Sequence, residues 1–270
     1  METRHLITYL IILFMVAFSL SFTEKSSKSN IKEENITYTI DKTVYKCFVA
    51  YDENMKGKRP AVLVVPEWWG MTDYPRMRAR ELAKLGYIAM AVDMFGEGKV
   101  AANPTEAQAF TAPYYSNPQL AKKNLDVAIS KIKDFKQTDT KNIVAIGYCF
   151  GGSVVLNAAK LGADLKAVVS FHGGLKGVPA DKNLLKAKIL VCQGGIDKFV
   201  TKSDVTVFRH QMDSIGADYK LIVYPNATHA FTNPEATELG KKFNMPIEYN
   251  KKADTDSWND MKMFFKVILK

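Results

Sequence analysis

Short runs of apolar residues recur along most of the chain, and segments with helical spacing of apolar positions lie between them. The runs are continuous, which is typical of strands buried on both faces of a parallel sheet. Strands that alternate with helices predict βαβ units and an α/β fold, with a mostly parallel central sheet covered by helices on both faces. The predicted strands are residues 37–40, 44–51, 61–65, 88–92, 143–146, 167–171, 189–192 and 221–224.

Helix signals occupy the intervals between these strands. Asn117 and Pro118 form an N-cap and first-turn pair that opens one helix. Residues 99–117 are less regular and predict a loop with a short helix, suited to cover a site. One further predicted helix runs from near Pro75 to Gly86, and another has its apolar start at Val154 and ends at Gly162. A third contains Val205 and ends at Gly216, and the last begins at about Ser257.

The N-terminal residues have the composition of a targeting segment. A modestly basic start is followed by a charge-free, mostly apolar run at 6–22 and then by polar residues. This pattern predicts a secretory signal peptide at 1–22 or, alternatively, an uncleaved membrane anchor. We expect a linker at 23–34 and one domain at 35–270. The domain is then exported, periplasmic or secreted, and contacts the membrane only if the anchor is kept.

Composition and charge narrow the function classes. The chain has 270 residues, 47% of them hydrophobic, which is enough for the core of one α/β domain. The net charge of +9 comes from scattered lysines without an Arg-rich block or interleaved aromatic residues, which argues against nucleic acid as a partner. Cys47 and Cys192 lie in strand-like runs and are interpreted as core residues. No Cys-x-x-Cys occurs, so a thiol redox role lacks support.

A glycine-rich motif around Cys149 carries the strongest chemical signal. Gly147-Tyr-Cys149-Phe-Gly151-Gly152 joins a predicted buried strand to a predicted helix, the arrangement of a nucleophile elbow. The glycines are expected where strand and helix backbones nearly touch. The positive end of the helix favours a thiolate. The alternative is a tight turn that holds an inert, buried cysteine.

Polar residues directly follow several predicted strands, at the sheet edge where ligands bind in open α/β folds. Cys149, Asp197 and His229 occur in the order nucleophile, acid and histidine that α/β-hydrolases use. In this interpretation His229 holds or removes the thiol proton and later protonates the leaving group. Asp197 fixes the tautomer of His229 and stabilises the imidazolium. Asp197 as a solvated acid or helix cap, and His229 as a structural residue, remain open alternatives. The residues in these strand-end positions are Glu67, Asp93, Cys149, His172, Asp197 and His229.

The loop after residues 61–65 supplies further candidates. An oxyanion hole is expected from the backbone N–H groups of Phe150 and Trp68. Glu67 lies beside Trp68 and Trp69, where an apolar neighbourhood would raise its pKa and let it accept the thiol proton. Glu67 as a structural carboxylate and Trp69 as plain cavity wall are the alternatives. Three single residues are also interpreted: His172 lines the pocket or anchors a Gly-Gly turn, Asp93 is structural, and His210 is exposed.

These motifs resemble the dienelactone hydrolase family from about residue 35 to the C-terminus. The matching features are the Cys149 elbow, Pro66-Glu67-Trp68-Trp69-Gly70, Asp197 after Gly194-Gly195, and His229-Ala230-Phe231. The resemblance implies a monomeric α/β-hydrolase fold without metal or cofactor. It also implies a Cys-Asp-His triad that opens cyclic enol lactones or related small esters through an acyl-cysteine intermediate. A glutamate at the Glu67 position is implied to take the thiol proton when substrate arrives.

The chain departs from that family where the substrate carboxylate is held. Family members use arginines there, whereas this chain offers Asn233 after His229 and Lys99 after Asp93 as substrate-binding candidates. Lysine lacks the two-pronged geometry of arginine. The sequence therefore predicts an exported hydrolase of small carboxylic esters or lactones. The alternatives are a thioesterase, and a catalytically silent binding or scaffold protein on the same fold.

Overall fold

The computed structural model of the chain describes residues 29–269. The predicted signal peptide or anchor at 1–22 lies outside the described residues, as does the predicted linker up to residue 28. No helix within 29–269 is both long and apolar enough to cross a membrane.

The described chain forms an eight-stranded sheet in the order β1-β2-β4-β3-β5-β6-β7-β8. β1 and β2 form an antiparallel hairpin, and β2 pairs antiparallel with β4. All other neighbouring strands are parallel, which confirms the predicted mostly parallel sheet. The strands are β1 (Ile31–Ile40), β2 (Thr43–Asp52), β3 (Arg59–Val65), β4 (Ile88–Ala91), β5 (Thr138–Tyr148), β6 (Ala167–Phe171), β7 (Lys188–Gly194) and β8 (Tyr219–Tyr224).

Helices cover both faces of this sheet. α1 and α7 pack on one face, while α3, α4 and α5 pack on the other. Alternate residues of β3 serve the two faces, with Leu63 in one core and Val62 and Val64 in the other. The helices are α1 (Asp73–Lys84), α2 (Pro104–Ser116), α3 (Pro118–Lys133), α4 (Phe150–Lys160), α5 (Lys202–Ser214), α6 (Ala236–Phe243) and α7 (Lys251–Ile268).

Several boundaries differ from the sequence prediction. β1 begins at Ile31, inside the predicted linker, because it pairs with β2 along its full length. The irregular region after residue 99 contains a helix of 13 residues, α2, which is capped by the side chain of Asn103. α6 was not predicted, and α7 begins earlier than Ser257, with Asn250 as its N-cap. The predicted cap of α3 is confirmed, since the Asn117 side chain accepts a hydrogen bond from the Gln119 N–H.

Candidate active site

The predicted strand, sharp turn and helix are present around Cys149. Its backbone has a φ of 52°, a left-handed conformation that is strained for a residue with a side chain. A Cβ atom at Gly147 would lie 2.1 Å from the carbonyl oxygen of Gly151, and one at Gly151 would lie 2.2 Å from that of Val65. The close approach of backbones explains both glycines. The turn raises Cys149 above the carboxyl end of β5, where it is partly exposed.

The side chains of Cys149, His229 and Asp197 form one hydrogen-bonded row. The Cys149 Sγ lies 3.1 Å from the His229 Nε2, and the His229 Nδ1 lies 2.9 Å from the Asp197 Oδ2. These residues come from the carboxyl ends of β5, β7 and β8, as the chain order predicts. The geometry lets the imidazole exchange a proton with the sulfur while the carboxylate holds its other nitrogen.

Asp197 is fixed from several directions. Its Oδ1 accepts hydrogen bonds from the backbone N–H groups of Phe199 at 2.8 Å and Val200 at 3.0 Å. Its Oδ2 accepts a further one from the side-chain amide of Gln193 at 2.8 Å. The side chain is fully buried, which contradicts the alternative of a solvated loop acid. Sequence reasoning missed Gln193, whose only signal is a polar residue near the end of a buried strand.

The charges around His229 control its protonation. Burial alone would lower its pKa, but the negative charges of Cys149 and Asp197, with the hydrogen bonds to them, outweigh burial and raise the pKa to about 10. When Cys149 is ionised, His229 therefore carries a proton on both ring nitrogens at neutral pH, and its Nε2–H faces the sulfur. A protonated imidazole beside a thiolate is the activated form of a nucleophilic cysteine.

Glu67 lines the same cavity, and its pKa is raised above the usual value of a glutamate. It is 4% exposed, and burial raises its pKa to about 7, although a hydrogen bond from Asn233 opposes the shift. The Asn233 amide donates to the Glu67 Oε2 at 2.6 Å. Asn233 does not line the cavity, so the structure corrects its predicted role from substrate binding to support of Glu67. Glu67 itself can exchange a proton near neutral pH.

The two predicted oxyanion donors lie on adjoining loops. Phe150 is the first residue of α4, and Trp68 lies in the turn after β3. The Gly151 N–H donates to the Pro66 carbonyl at 3.1 Å and so joins these loops. Between residues 29 and 269, neither the Phe150 nor the Trp68 N–H has a backbone acceptor. Both are thus available to a developing oxyanion, and their role remains a prediction.

The structure also corrects the predicted substrate-binding role of His172. This ring is completely buried, does not line the cavity, and has a pKa well below its usual value because of burial. Its Nδ1 accepts a hydrogen bond from the Cys149 N–H at 3.1 Å, so its Nε2–H donates to the Thr232 hydroxyl at 2.7 Å. His172 therefore supports the strained backbone under the nucleophile.

Lys99 likewise does not have its predicted role in substrate binding. Its ammonium group lies 5.8 Å from the centre of the Phe110 ring and is absent from the cavity wall. Trp69, in contrast, does line the cavity, and its ring packs against Trp68 and Phe243. Of the predicted substrate-binding residues, only Trp69 therefore reaches the space above Cys149.

That space is a cavity of about 610 Å³, within the usual size range of small-molecule sites. α2 and the segment after α6 form much of its wall. The sequence predicted that residues 99–117 cover a site, but it did not identify the segment after α6. The lining residues are Glu67, Trp68, Trp69, Gln108, Thr111, Ala112, Tyr115, Ser116, Cys149, Gly174, Phe199, Val200, His229, Ala230, Met245 and Ile247.

The remaining candidates are structural. Asp93 accepts hydrogen bonds from four backbone N–H groups and is fully buried. Burial raises the pKa of both Cys47 and Cys192 to about 12, and neither forms a disulfide. His210 is exposed, as predicted. Across residues 29–269, no three His, Cys, Asp or Glu side chains are grouped to hold a metal ion.

Comparisons with known proteins identify relatives of this chain and of its fold. A "Putative carboxymethylenebutenolidase" of Aquifex aeolicus is 26% identical over 226 residues, which cover 82% of this chain and 93% of the relative. The crystal structure of a dienelactone hydrolase-like promiscuous phosphotriesterase from metagenomic libraries is 30% identical, with a TM-score of 0.82. It is matched over 88% of this chain and 98% of its own.

A more distant structure is similar in fold. An α/β hydrolase enzyme from a Medee basin deep-sea metagenome is 16% identical, with a TM-score of 0.64 over 88% of this chain and 99% of the other. The protein thus has the α/β-hydrolase fold. A model of the dienelactone hydrolase family matches residues 46–269. The chain belongs to the dienelactone hydrolase family.

Proposed function

We propose that this hydrolase cleaves small carboxylic esters or lactones through an acyl-cysteine intermediate, with Cys149, His229 and Asp197 as its catalytic triad. The observation that carries the proposal is the hydrogen-bonded row of these three side chains at a cavity. A partly exposed sulfur beside a protonated imidazole is suited to attack a carbonyl carbon.

The acylation step follows from this geometry. The Cys149 thiolate attacks the ester carbonyl, and the resulting oxyanion accepts hydrogen bonds from the Phe150 and Trp68 N–H groups. The tetrahedral intermediate then collapses, and the bond to the leaving oxygen breaks. His229 gives its Nε2 proton to that oxygen, so an alcohol leaves and a thioester remains on Cys149.

Deacylation uses the same groups in reverse. Neutral His229 takes a proton from a water molecule, whose oxygen attacks the thioester carbonyl. Collapse of the second tetrahedral intermediate releases the carboxylic acid and returns the thiolate. Asp197 stabilises the imidazolium in both steps, and Glu67 accepts the thiol proton when the resting enzyme holds Cys149 as a thiol.

The experiment that tests this proposal combines turnover with trapping. Cys149→Ala should abolish turnover of p-nitrophenyl acetate, while Cys47→Ala and Cys192→Ala should retain it because both thiols are buried away from the cavity. Intact mass after a rapid quench should show one acetyl group on the wild-type protein, mapped to Cys149. Undiminished turnover by Cys149→Ala would refute the proposal.

A silent binding protein on the same fold would behave differently towards iodoacetamide. An activated Cys149 should be alkylated much faster than Cys47 and Cys192, whose pKa values burial raises to about 12. Equal labelling of the three cysteines in the folded protein would favour the silent alternative.

We propose further that residues 1–22 direct export of the enzyme. The support is their charge-free apolar run behind a modestly basic start. Intact mass of the protein recovered from outside the cytoplasm tests this idea: a shortened chain indicates a cleaved signal peptide, and a full-length chain in the membrane fraction indicates an anchor. Full-length protein confined to the cytosol would refute export.

A further inference from the structure

We infer that the cavity selects esters whose acyl group is uncharged and largely apolar, and that it discriminates against acyl groups that end in a carboxylate. The inference rests on the proposed function and specifies its substrate class. The protein carries a net charge of +9, yet no lysine or arginine is among the described residues that line the cavity.

The wall is built mainly from apolar side chains. Trp68, Trp69, Phe199, Met245 and Ile247 surround the space above the sulfur. Such a surface binds hydrocarbon by excluding water and offers no partner to a charged group. This wall therefore binds an apolar acyl chain more favourably than an acyl chain that ends in a carboxylate.

The protonated His229 on the wall is already paired with the Cys149 sulfur and the Asp197 carboxylate, and the other polar groups do not supply a free cation. The Thr111 hydroxyl donates to the Ala107 carbonyl within its own helix, which satisfies its proton. Glu67 contributes a carboxylate that is partly ionised at neutral pH, and buried Asp197 adds a second negative charge behind His229. An anionic acyl group would thus meet like charges in a site of low dielectric constant.

Cations in nearby segments are engaged elsewhere. Arg78 donates to the Thr232 carbonyl at 2.8 Å and to Glu81 at 2.9 Å, and it also pairs with Asp254. The Lys99 ammonium lies over the Phe110 ring, and that of Lys242 lies over the Phe243 ring, 4.9 Å from its centre. None of these charged groups reaches the cavity wall.

The size of the cavity limits the whole ester, with its acyl and alcohol parts together. At about 30 Å³ for each non-hydrogen atom, which is the share of one molecule in liquid water, 610 Å³ accommodates on the order of 20 such atoms. Each methylene buried against the wall should increase kcat/KM by about fourfold until the space is filled.

Three p-nitrophenyl esters with the same six-carbon acyl chain test the inference. They are the hexanoate, the monoester of adipic acid, and the same adipate with its free carboxylate capped as a methyl ester. The capped ester controls for length and for oxygen content. We expect kcat/KM of the anionic ester to be about a hundredfold or more below that of both neutral esters. Equal kcat/KM for the capped and anionic esters, with turnover that still requires Cys149, would overturn the inference but leave the proposed function intact.

A gain-of-function variant tests the same point from the other side. Gln108 lies on the exposed side of α2 and lines the cavity. Gln108→Arg adds a guanidinium to the wall and should raise the ratio of anionic to capped-ester kcat/KM by at least tenfold. Gln108→Met, of similar length but uncharged, should leave that ratio unchanged. An unchanged ratio in Gln108→Arg would contradict the charge argument.

A binding measurement separates this inference from failure of the proposed chemistry. The p-nitroanilide analogues of the capped and anionic adipates can be titrated into Cys149→Ala, with the fluorescence of Trp68 and Trp69 as the signal. The neutral amide should bind at least tenfold more tightly. This result would uphold the selectivity even if no ester were hydrolysed, and equal affinity would refute it.

Discussion

Replacement of Asp197 by asparagine should separate catalysis from folding. The asparagine side chain has the same shape, and its carbonyl oxygen can keep the hydrogen bonds from the Phe199 and Val200 N–H groups. Its NH2 group then occupies the position of Oδ2, where it faces the amide of Gln193. The Gln193 Oε1 is buried and has no partner within the described chain, so rotation of this amide presents an acceptor. We therefore expect the free energy of unfolding to change by less than about 1 kcal/mol.

The effect on activity should be much larger. In the wild type the His229 Nδ1–H donates to Asp197, which leaves the Nε2 facing Cys149. The new NH2 group requires a lone pair on Nδ1, so the remaining imidazole proton moves to Nε2 and the ring cannot accept a proton there. The lost charge-assisted hydrogen bond is worth about 1.5–3 kcal/mol, and the wrong tautomer adds to it. Together they predict a fall in kcat between about a hundredfold and ten-thousandfold.

The assay is kcat/KM for a p-nitrophenyl ester across pH, together with urea unfolding. Because Asp197 helps to raise the pKa of His229, the alkaline limb of the activity profile should move to lower pH in the variant. Asp204→Asn is the matched control, since Asp204 caps α5 and does not line the cavity. Wild-type turnover by Asp197→Asn, or a loss of activity explained by unfolding, would refute the reasoning.

Three further substitutions test other parts of the site. Burial raises the pKa of Glu67 from 4.5 to about 7, so about 3 kcal/mol of stability present below pH 4.5 should be lost as the pH rises to 7. Glu67→Gln should flatten this slope in urea unfolding, and identical slopes would contradict the argument. His172→Phe removes one of the two acceptors of the Cys149 N–H, which also donates to the Phe171 carbonyl at 3.0 Å, and should lower stability by about 1 kcal/mol and kcat by about fivefold; unchanged kcat and melting temperature would show that the contact is dispensable. Gly147→Ala puts a Cβ 2.1 Å from the Gly151 oxygen and should cost more than about 4 kcal/mol, whereas Gly162→Ala, with its nearest atom at 3.4 Å, should cost about 1 kcal/mol. Similar unfolding midpoints for the two glycine variants would contradict this assignment.

Local signals made the catalytic end of the sheet predictable. The polar residues after the buried runs had to meet at one edge, because parallel strands place their carboxyl ends together. The elbow at Cys149 could be predicted from its glycines, because Gly147 and Gly151 lie where a side chain would collide with the backbone. The pattern of residues therefore indicated the order and proximity of Cys149, Asp197 and His229.

The cavity wall was predictable only in part, as a short helix within residues 99–117 that covers a site. α2 buries only Ala107 and Thr111, so it lacks the apolar stripe by which an amphipathic helix is recognised. Asn233 and His172 look like candidates for substrate contact in the sequence, yet each turns towards a neighbouring side chain or backbone group. Such assignments depend on contacts between residues far apart in the chain, which spacing alone does not record.

The exposed positions of α2 that line the cavity have an evolutionary consequence. This helix supplies Gln108, Thr111, Ala112, Tyr115 and Ser116 to the wall, although few of its side chains enter the core. Mutations at its exposed wall positions Gln108, Ala112 and Ser116 can therefore accumulate at little cost to folding, while the reacting atoms stay anchored on the sheet. Descendants of this protein could acquire new substrates through substitutions in α2 alone and keep the same catalytic residues.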